Sequence, residues 1–325
     1  MKRMLCSVLL PLISLTLTGQ IAGSESPGPY DRQVAENLTK LDADSPADRA
    51  GAAEALGFLR AYRAEQALVG RLKDDSVDVR RQAAMALAWC GGRGAVGPLL
   101  AALDDPDWAV CQGAHVSLTN LTGMEFPLDA PAPSRQRSAE IKVWRDWWAT
   151  VPPDRPPQEV LELLSGHQDL SGGRSVTVSS TYRGPPGLLI DAPIQWQLER
   201  GLRALGCLGG PGATQVILKV LGDVPPTQPA YRPMVRAGIR SLGRLRDQAS
   251  LEALIGYLGN TMWARSAADA LGDFGDRRAV GPLLDAYPHF AKQLDGKYPP
   301  QLPEDDNWGG PPSDVAEDRM LETPY

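Results

Sequence analysis

The feature that most restricts how this chain can fold is a recurrence: AVGPLL is written at Ala95 to Leu100 and again at Ala279 to Leu284. Extended outward, VRRQAAMALAWCGGRGAVGPLLAAL (Val79 to Leu103) and ARSAADALGDFGDRRAVGPLLDAY (Ala264 to Tyr287) share one pattern. An Ala-rich segment leads to an Ala-Leu pair, a Gly-containing turn follows, and a second apolar segment comes after it. With the leucine of the pair as a ruler, equivalent positions are Leu56, Leu87, Leu118, Leu205, Leu242 and Leu271, the first three spaced by 31 residues. A repeat of this length is one supersecondary unit.

Both segments of the unit read as helices. After the turn, Val96, Leu99, Leu100 and Leu103 recur at offsets 0, 3, 4 and 7. Leu251, Leu254, Ile255 and Leu258 do the same, and so do Val280, Leu283, Leu284 and Tyr287, which places each set on one helical face. Before the turn Ala dominates, and Val79, Ala83, Ala86, Leu87 and Cys90 make a second apolar face. Gly91, Gly92, Gly209, Gly210 and Gly275 stand where the first helix must stop, and left-handed closure is expected there. Pro98 and Pro282 are expected near the start of the second helix, where a missing amide hydrogen costs little. One hairpin of this size cannot bury two stripes, so neighbouring hairpins must stack into a continuous core. The fold class is therefore all-α, an α-α superhelix of the solenoid kind.

The solenoid occupies only part of the chain. Lys2 and Arg3, the apolar run Leu5 to Leu17 and the small residues to Ser24 have the order of a secretory signal, so residues 1–24 are expected to be cleaved and the protein exported, periplasmic or extracellular. The run is shorter than the roughly 18 to 20 apolar residues a membrane span needs. Residues 25–127 hold an N-terminal capping helix, in DRQVAENLTKL, and repeats 1–3. Residues 128–193 are a Pro- and Trp-rich insertion, 194–294 hold repeats 4–6, and 295–325 are an acidic, Pro-rich tail with too few aliphatic residues to order itself. Within the insertion, SAEIKVWRDWWAT reads as a helix with Ile141, Trp144 and Trp148 in line and Trp147 beside them. It stands in for the second helix that repeat three lacks. QEVLELLSG reads as a short helix, and RSVTVSSTYRG alternates like a strand.

The elements V-R-x-x-A-A-x-A-L, G-D-x-x and A-V-x-P-L-L resemble the short HEAT-like repeats of phycobilisome bilin lyases, over about 47–127 and 194–290. The resemblance implies the helical solenoid and leaves function open, because function resides in sites grafted on folds. Deoxyhypusine hydroxylases, another HEAT-like class, hold two irons through His-Glu pairs. His115-Val116, His167-Gln168 and His289-Phe290 contain no such pair. Bilin attachment, a cytosolic reaction, conflicts with the expected export.

No nucleophile elbow, P-loop or H-E-x-x-H is written. Without Cys6 of the expected leader, Cys90, Cys111 and Cys207 have neither zinc spacing nor even number, and Cys90 and Cys111 sit at +3 and −7 from their ruler leucines, too staggered for a disulfide. We therefore expect no catalytic, cofactor-binding or metal residue and no cofactor. A net charge of −6, falling to −8 without Lys2 and Arg3, argues against nucleic acid. The expected role is a non-catalytic scaffold binding another protein through the insertion or a solenoid face, with Arg174, Tyr182 and Arg183 of the insertion's loop as candidate contacts. The alternatives are a small-ligand or glycan binder using Trp147, Tyr182 and Trp196 and, ranked behind it, a lyase-related enzyme.

Overall fold

A computed structural model describes residues 28–165, 194–224 and 231–294. The candidate contacts Arg174, Tyr182 and Arg183, the expected leader and the acidic segment 295–325 lie outside these residues.

Among the described residues fourteen α-helices form six hairpins with additions, and no strand occurs. The capping helix α1 (Pro29–Lys40) precedes the first hairpin, α2 (Pro46–Phe58) and α3 (Glu65–Arg71), which are linked by a 3-10 turn at Tyr62–Ala64. The second hairpin is α4 (Val77–Cys90) and α5 (Arg93–Ala102). The third joins α6 (Trp108–Thr122) to the Trp-bearing α7 (Ser134–Thr150), and α8 (Gln158–Ser165) packs on the fourth hairpin, α9 (Ile194–Leu208) and α10 (Ala213–Gly222). The fifth is α11 (Arg232–Leu245) and α12 (Gln248–Tyr257), and the sixth is α13 (Ala264–Phe274) and α14 (Val280–Leu294). First helices stack in one ladder, α2 on α4, then α6, α9, α11 and α13.

All six ruler leucines are buried. The residues beside them explain why the pair recurs. The residue after the leucine presses on the residue before the next leucine: a Cβ on Gly57 would lie 3.0 Å from the Ala86 Cα, on Gly206 2.7 Å from the Ser241 Cα, and on Gly243 2.8 Å from the Ala270 carbonyl. Only small residues permit backbones so close. Where Ser replaces Ala in the pair, its hydroxyl is used: Ser117 donates to the Ala84 carbonyl and Ser241 to the Leu202 carbonyl of the preceding first helix.

Three local expectations need correction. Gly209, Gly210 and Gly275 do take positive φ, but Gly91 and Gly92 are extended at φ −74° and −131°, and a Cβ on Gly91 would meet the Leu87 carbonyl oxygen at 2.5 Å, so crowding is what excludes a side chain there. Pro98 is the sixth residue of α5, well inside the helix, and the carbonyl it deprives of a partner belongs to exposed Gly94. In α7, Trp147 is buried with Ile141 and Trp144, while Trp148 is half-buried. Trp144 is fully enclosed, edge-on to Phe126 at 4.9 Å and to His115 at 5.7 Å, and Trp147 donates its indole N–H to Glu159. Trp147 is therefore core and offers no open ring to a ligand, whereas Trp196 is 59% exposed.

Candidate functional site

The stacked hairpins curl until the first faces the last two across an open basin of about 1160 Å³. One wall is the start of α1 and the end of α2 with its turn, and the opposite wall is α11, the 261–263 turn and α13. Contacts behind Tyr62 and beyond the lining join the two halves. Arg244 of α11 stacks on the Tyr62 ring at 4.4 Å and donates to the Gly91 carbonyl, and Arg93 donates to the Leu208 and Pro152 carbonyls. Beside Arg244, burial pushes the Glu65 carboxyl up, opposed by the guanidinium.

Arginine dominates the lining. Arg232, Arg236 and Arg240 recur every four residues on α11, a rail whose spacing Arg244, outside the lining, continues. Arg60 and Arg63 come from the first hairpin, Arg246 and Arg265 from the far wall, against the carboxylates Asp31, Asp269 and Asp273. Asp31 is taken by Arg63 at 2.8 Å. Burial, and then the neighbouring Asp269 carboxylate, push Asp273 above the usual carboxylate range, and Arg246 donates to the Asp273 backbone carbonyl at 2.8 Å. Burial and Asp273 also raise the Tyr30 hydroxyl across the basin. The Nε of Arg232 is buried without a hydrogen-bond partner among the described residues.

Two backbone positions set the basin apart. Arg60 and Arg246 are the positive-φ residues other than glycine among the described residues, at φ 49° and 55°. Each stands four residues after its ruler leucine, where repeats four and six place Gly209 and Gly275. A left-handed non-glycine residue costs about 1 kcal/mol. Both residues that bear this cost are arginines, and both line the basin. Between the cations stand exposed apolar side chains, Tyr30 at 43%, Phe58 at 64% and Met262 at 44%. Arginine, aromatic residues and methionine are the types enriched at protein interfaces. Such a surface recognises carboxylates by paired N–H donors while burying apolar side chains between them.

Among the described side chains, His115 and the three cysteines have structural surroundings. His115 donates a ring N–H to the Phe126 carbonyl at 2.8 Å, and burial lowers its affinity for a second proton. Cys90, Cys111 and Cys207 are free thiols, and burial pushes Cys90 up to about 12. Among the described residues no group of histidines, cysteines and carboxylates is arranged to hold a metal, and no helix is long and apolar enough to cross a membrane. The sequence reading passed over the arginine rail. Its signal is RPMVRAGIRSLGR, with arginine at every fourth position, and the repeat pattern, which draws only Leu242 from that segment, does not bring it out.

Sequence comparison finds HEAT repeats at residues 34–119 and a PBS lyase HEAT-like repeat at 263–287. None of the curated proteins matches the chain. Among solved structures it is similar to the complex of CpcE and CpcF of phycocyanin lyase from Nostoc sp., at 23% identity over 81% of this chain and 84% of that one, with a TM-score of 0.28. An engineered protein is similar at 18% identity, covering 74% and 96%, with a TM-score of 0.26. Human deoxyhypusine hydroxylase in complex with glycerol is similar at 18%, covering 74% and 84%, with a TM-score of 0.25. Superpositions this loose carry no argument about the basin.

Proposed function

We propose that this HEAT-like repeat protein is an exported, non-catalytic scaffold that holds an acidic segment of another protein in its arginine-lined basin. The observation that carries the reading is the pair Arg60 and Arg246, left-handed where repeats four and six use glycine and both among the residues that line the basin, Arg60 with its guanidinium over the Trp89 ring. Strain retained at a position where glycine would relieve it points to a use for the side chain. Export is supported by the basic, apolar and small-residue order of 1–24. N-terminal sequencing of the protein purified from its own envelope is expected to begin at Glu25.

The binding reading is tested by capture of partners from that envelope fraction. Arg236→Glu with Arg240→Glu is expected to lose the partner captured by wild type. The milder pair Arg232→Gln with Arg265→Gln is expected to weaken capture while leaving the melting curve in place. Undiminished capture by both variants would remove the basin from consideration. Loss of capture on replacing residues 168–186 with a Gly/Ser linker would then transfer the role to the insertion.

A further inference from the structure

The basin's charge has a counterpart within the same chain. Residues 295–325 contain eight carboxylates against Lys297 and Arg319. Of 33 basic and 39 acidic residues in all, this leaves 31 of each sign in residues 1–294, so the whole net charge of −6 resides in the last 31 residues. The lining of the basin carries the opposite excess, seven arginines against three aspartates. The two are close in sequence, since α13 is a wall of the basin and α14, the helix that follows it, leads directly into this segment.

Resting on the reading of the basin as an acidic-segment site, we infer that its resident occupant is the chain's own residues 301–322, which a partner must displace. The segment brings Glu304, Asp305 and Asp306 in one cluster with Trp308 beside them, the carboxylate and aromatic groups that guanidinium and exposed Phe58 and Met262 accept. Its three prolines, Pro303, Pro311 and Pro312, lower the entropy that binding removes. Tethering supplies an effective concentration on the order of millimolar, so a weak contact suffices for occupancy. The arrangement makes capture selective, because a partner must out-compete a tethered acidic segment and so needs apolar as well as charged complementarity.

The test uses the full chain. In one variant the cluster is neutralised as Glu304→Gln, Asp305→Asn and Asp306→Asn. A labelled peptide of residues 299–325 and a poly-glutamate peptide of equal charge are titrated by fluorescence anisotropy. The labelled peptide is expected to bind the neutralised variant about tenfold or more tightly than wild type, to weaken with added salt, and to weaken when Arg232→Gln and Arg265→Gln are added. Equal affinity for variant and wild type would overturn the inference. If poly-glutamate binds the variant and the 299–325 peptide does not, the inference falls while the acidic-segment basin stands; if neither binds, both fall. Sedimentation is expected to show a monomer for wild type and variant alike, and a wild-type dimer lost on neutralisation would overturn the intramolecular assignment.

Discussion

Repeats one and two use arginine differently from repeat five. Arg49 and Arg80 each stand seven residues before the ruler leucine and reach between two turns. Arg49 pairs in a fork with Asp74 at 2.9 and 2.7 Å and donates to the Ala43 and Asp44 carbonyls. Arg80 repeats this one unit on, with Asp105 at 2.7 and 3.1 Å and the Asp74 and Asp75 carbonyls. Each guanidinium thus ties the turn before its helix to the turn after the hairpin. A tie of fixed reach fixes the length of what it spans, which accounts for the 31-residue period of the first three leucines. In the later repeats the same position holds Leu198, Val235 and Ala264, all buried, and the spacing drifts to 37 and 29. Released from the tie, the second half carries its arginines on the face of α11 that meets solvent in the basin.

The largest expected contrast lies between the two copies of AVGPLL. Val96 and Leu100 are buried at 0% and 6% exposure, whereas Val280 and Leu284 are 51% and 66% exposed, because no further hairpin covers α14 among the described residues. Val96→Asp is therefore expected to cost about 4 kcal/mol or more, an unpaired charge in the core. Val280→Asp, the same substitution in the same six residues, is expected to change stability by about 0.5 kcal/mol or less. Urea melts of the two variants decide it. Equal losses would mean that α14 is covered in solution.

Arginine gives the second contrast. Arg80→Ala leaves Asp105, whose side chain is 9% exposed, without its partner, and a loss of about 3 kcal/mol is expected in thermal or urea melts. Arg265→Ala, on the exposed wall of the basin, is expected to cost about 0.5 kcal/mol or less. A large loss at Arg265 would make the basin's arginines structural and weaken the case for a ligand.

Acid should separate the halves with opposite signs. The Arg49 guanidinium holds Asp74 below the usual carboxylate range, so its contribution is complete above the unfolded value of about 4 and is lost as pH falls through the lower folded value. Burial holds Asp273 above that range, so its charge destabilises at neutral pH and the penalty disappears as pH falls through the raised folded value. Asp74→Asn is expected to lower Tm at pH 7 by an amount that shrinks below about pH 4. Asp273→Asn is expected to raise Tm at pH 7 and to lose that advantage in acid. The same sign for both would contradict the two environments.

The period, the hairpins and the buried leucines were legible because a helix face repeats its own pattern, and Leu87 or Leu242 needs no distant information to be read as core. The basin was not legible, because it joins Tyr30 and Phe58 to Arg240 and Trp263 by the curl of the whole superhelix. Curl is the sum of small rotations set by contacts such as Gly57 on Ala86, and no window of sequence contains it. The same limit explains the misplaced face of α7. Spacings of three and four both suit Trp144, and the choice of Trp147 over Trp148 was made by Phe126 and Glu159, which lie elsewhere in the chain. It also explains why the second AVGPLL was read as core: its register is right, and only its place at the end of the stack exposes it.

The smallest effect bears most directly on why the halves differ. Arg246 occupies the left-handed position that closes α11, and Gly275 occupies the equivalent position after α13. Arg246→Ala keeps a Cβ in a left-handed conformation and removes the guanidinium that donates to Asp273, while Arg246→Gly removes both side chain and strain. Gly is expected to be the more stable of the two by about 1 kcal/mol, the cost of the left-handed Cβ less the freedom Gly gains when unfolded. Both should bind the acidic partner less well than wild type. The informative result is the combination, a glycine variant at least as stable as wild type that captures less, since a residue retained only for stability would show the two quantities falling together. Differential scanning calorimetry and the capture assay on the same preparations measure both. A glycine variant that melts lower and binds normally would assign Arg246 to the packing of the turn, and the second half's arginines would then be structural like those of the first.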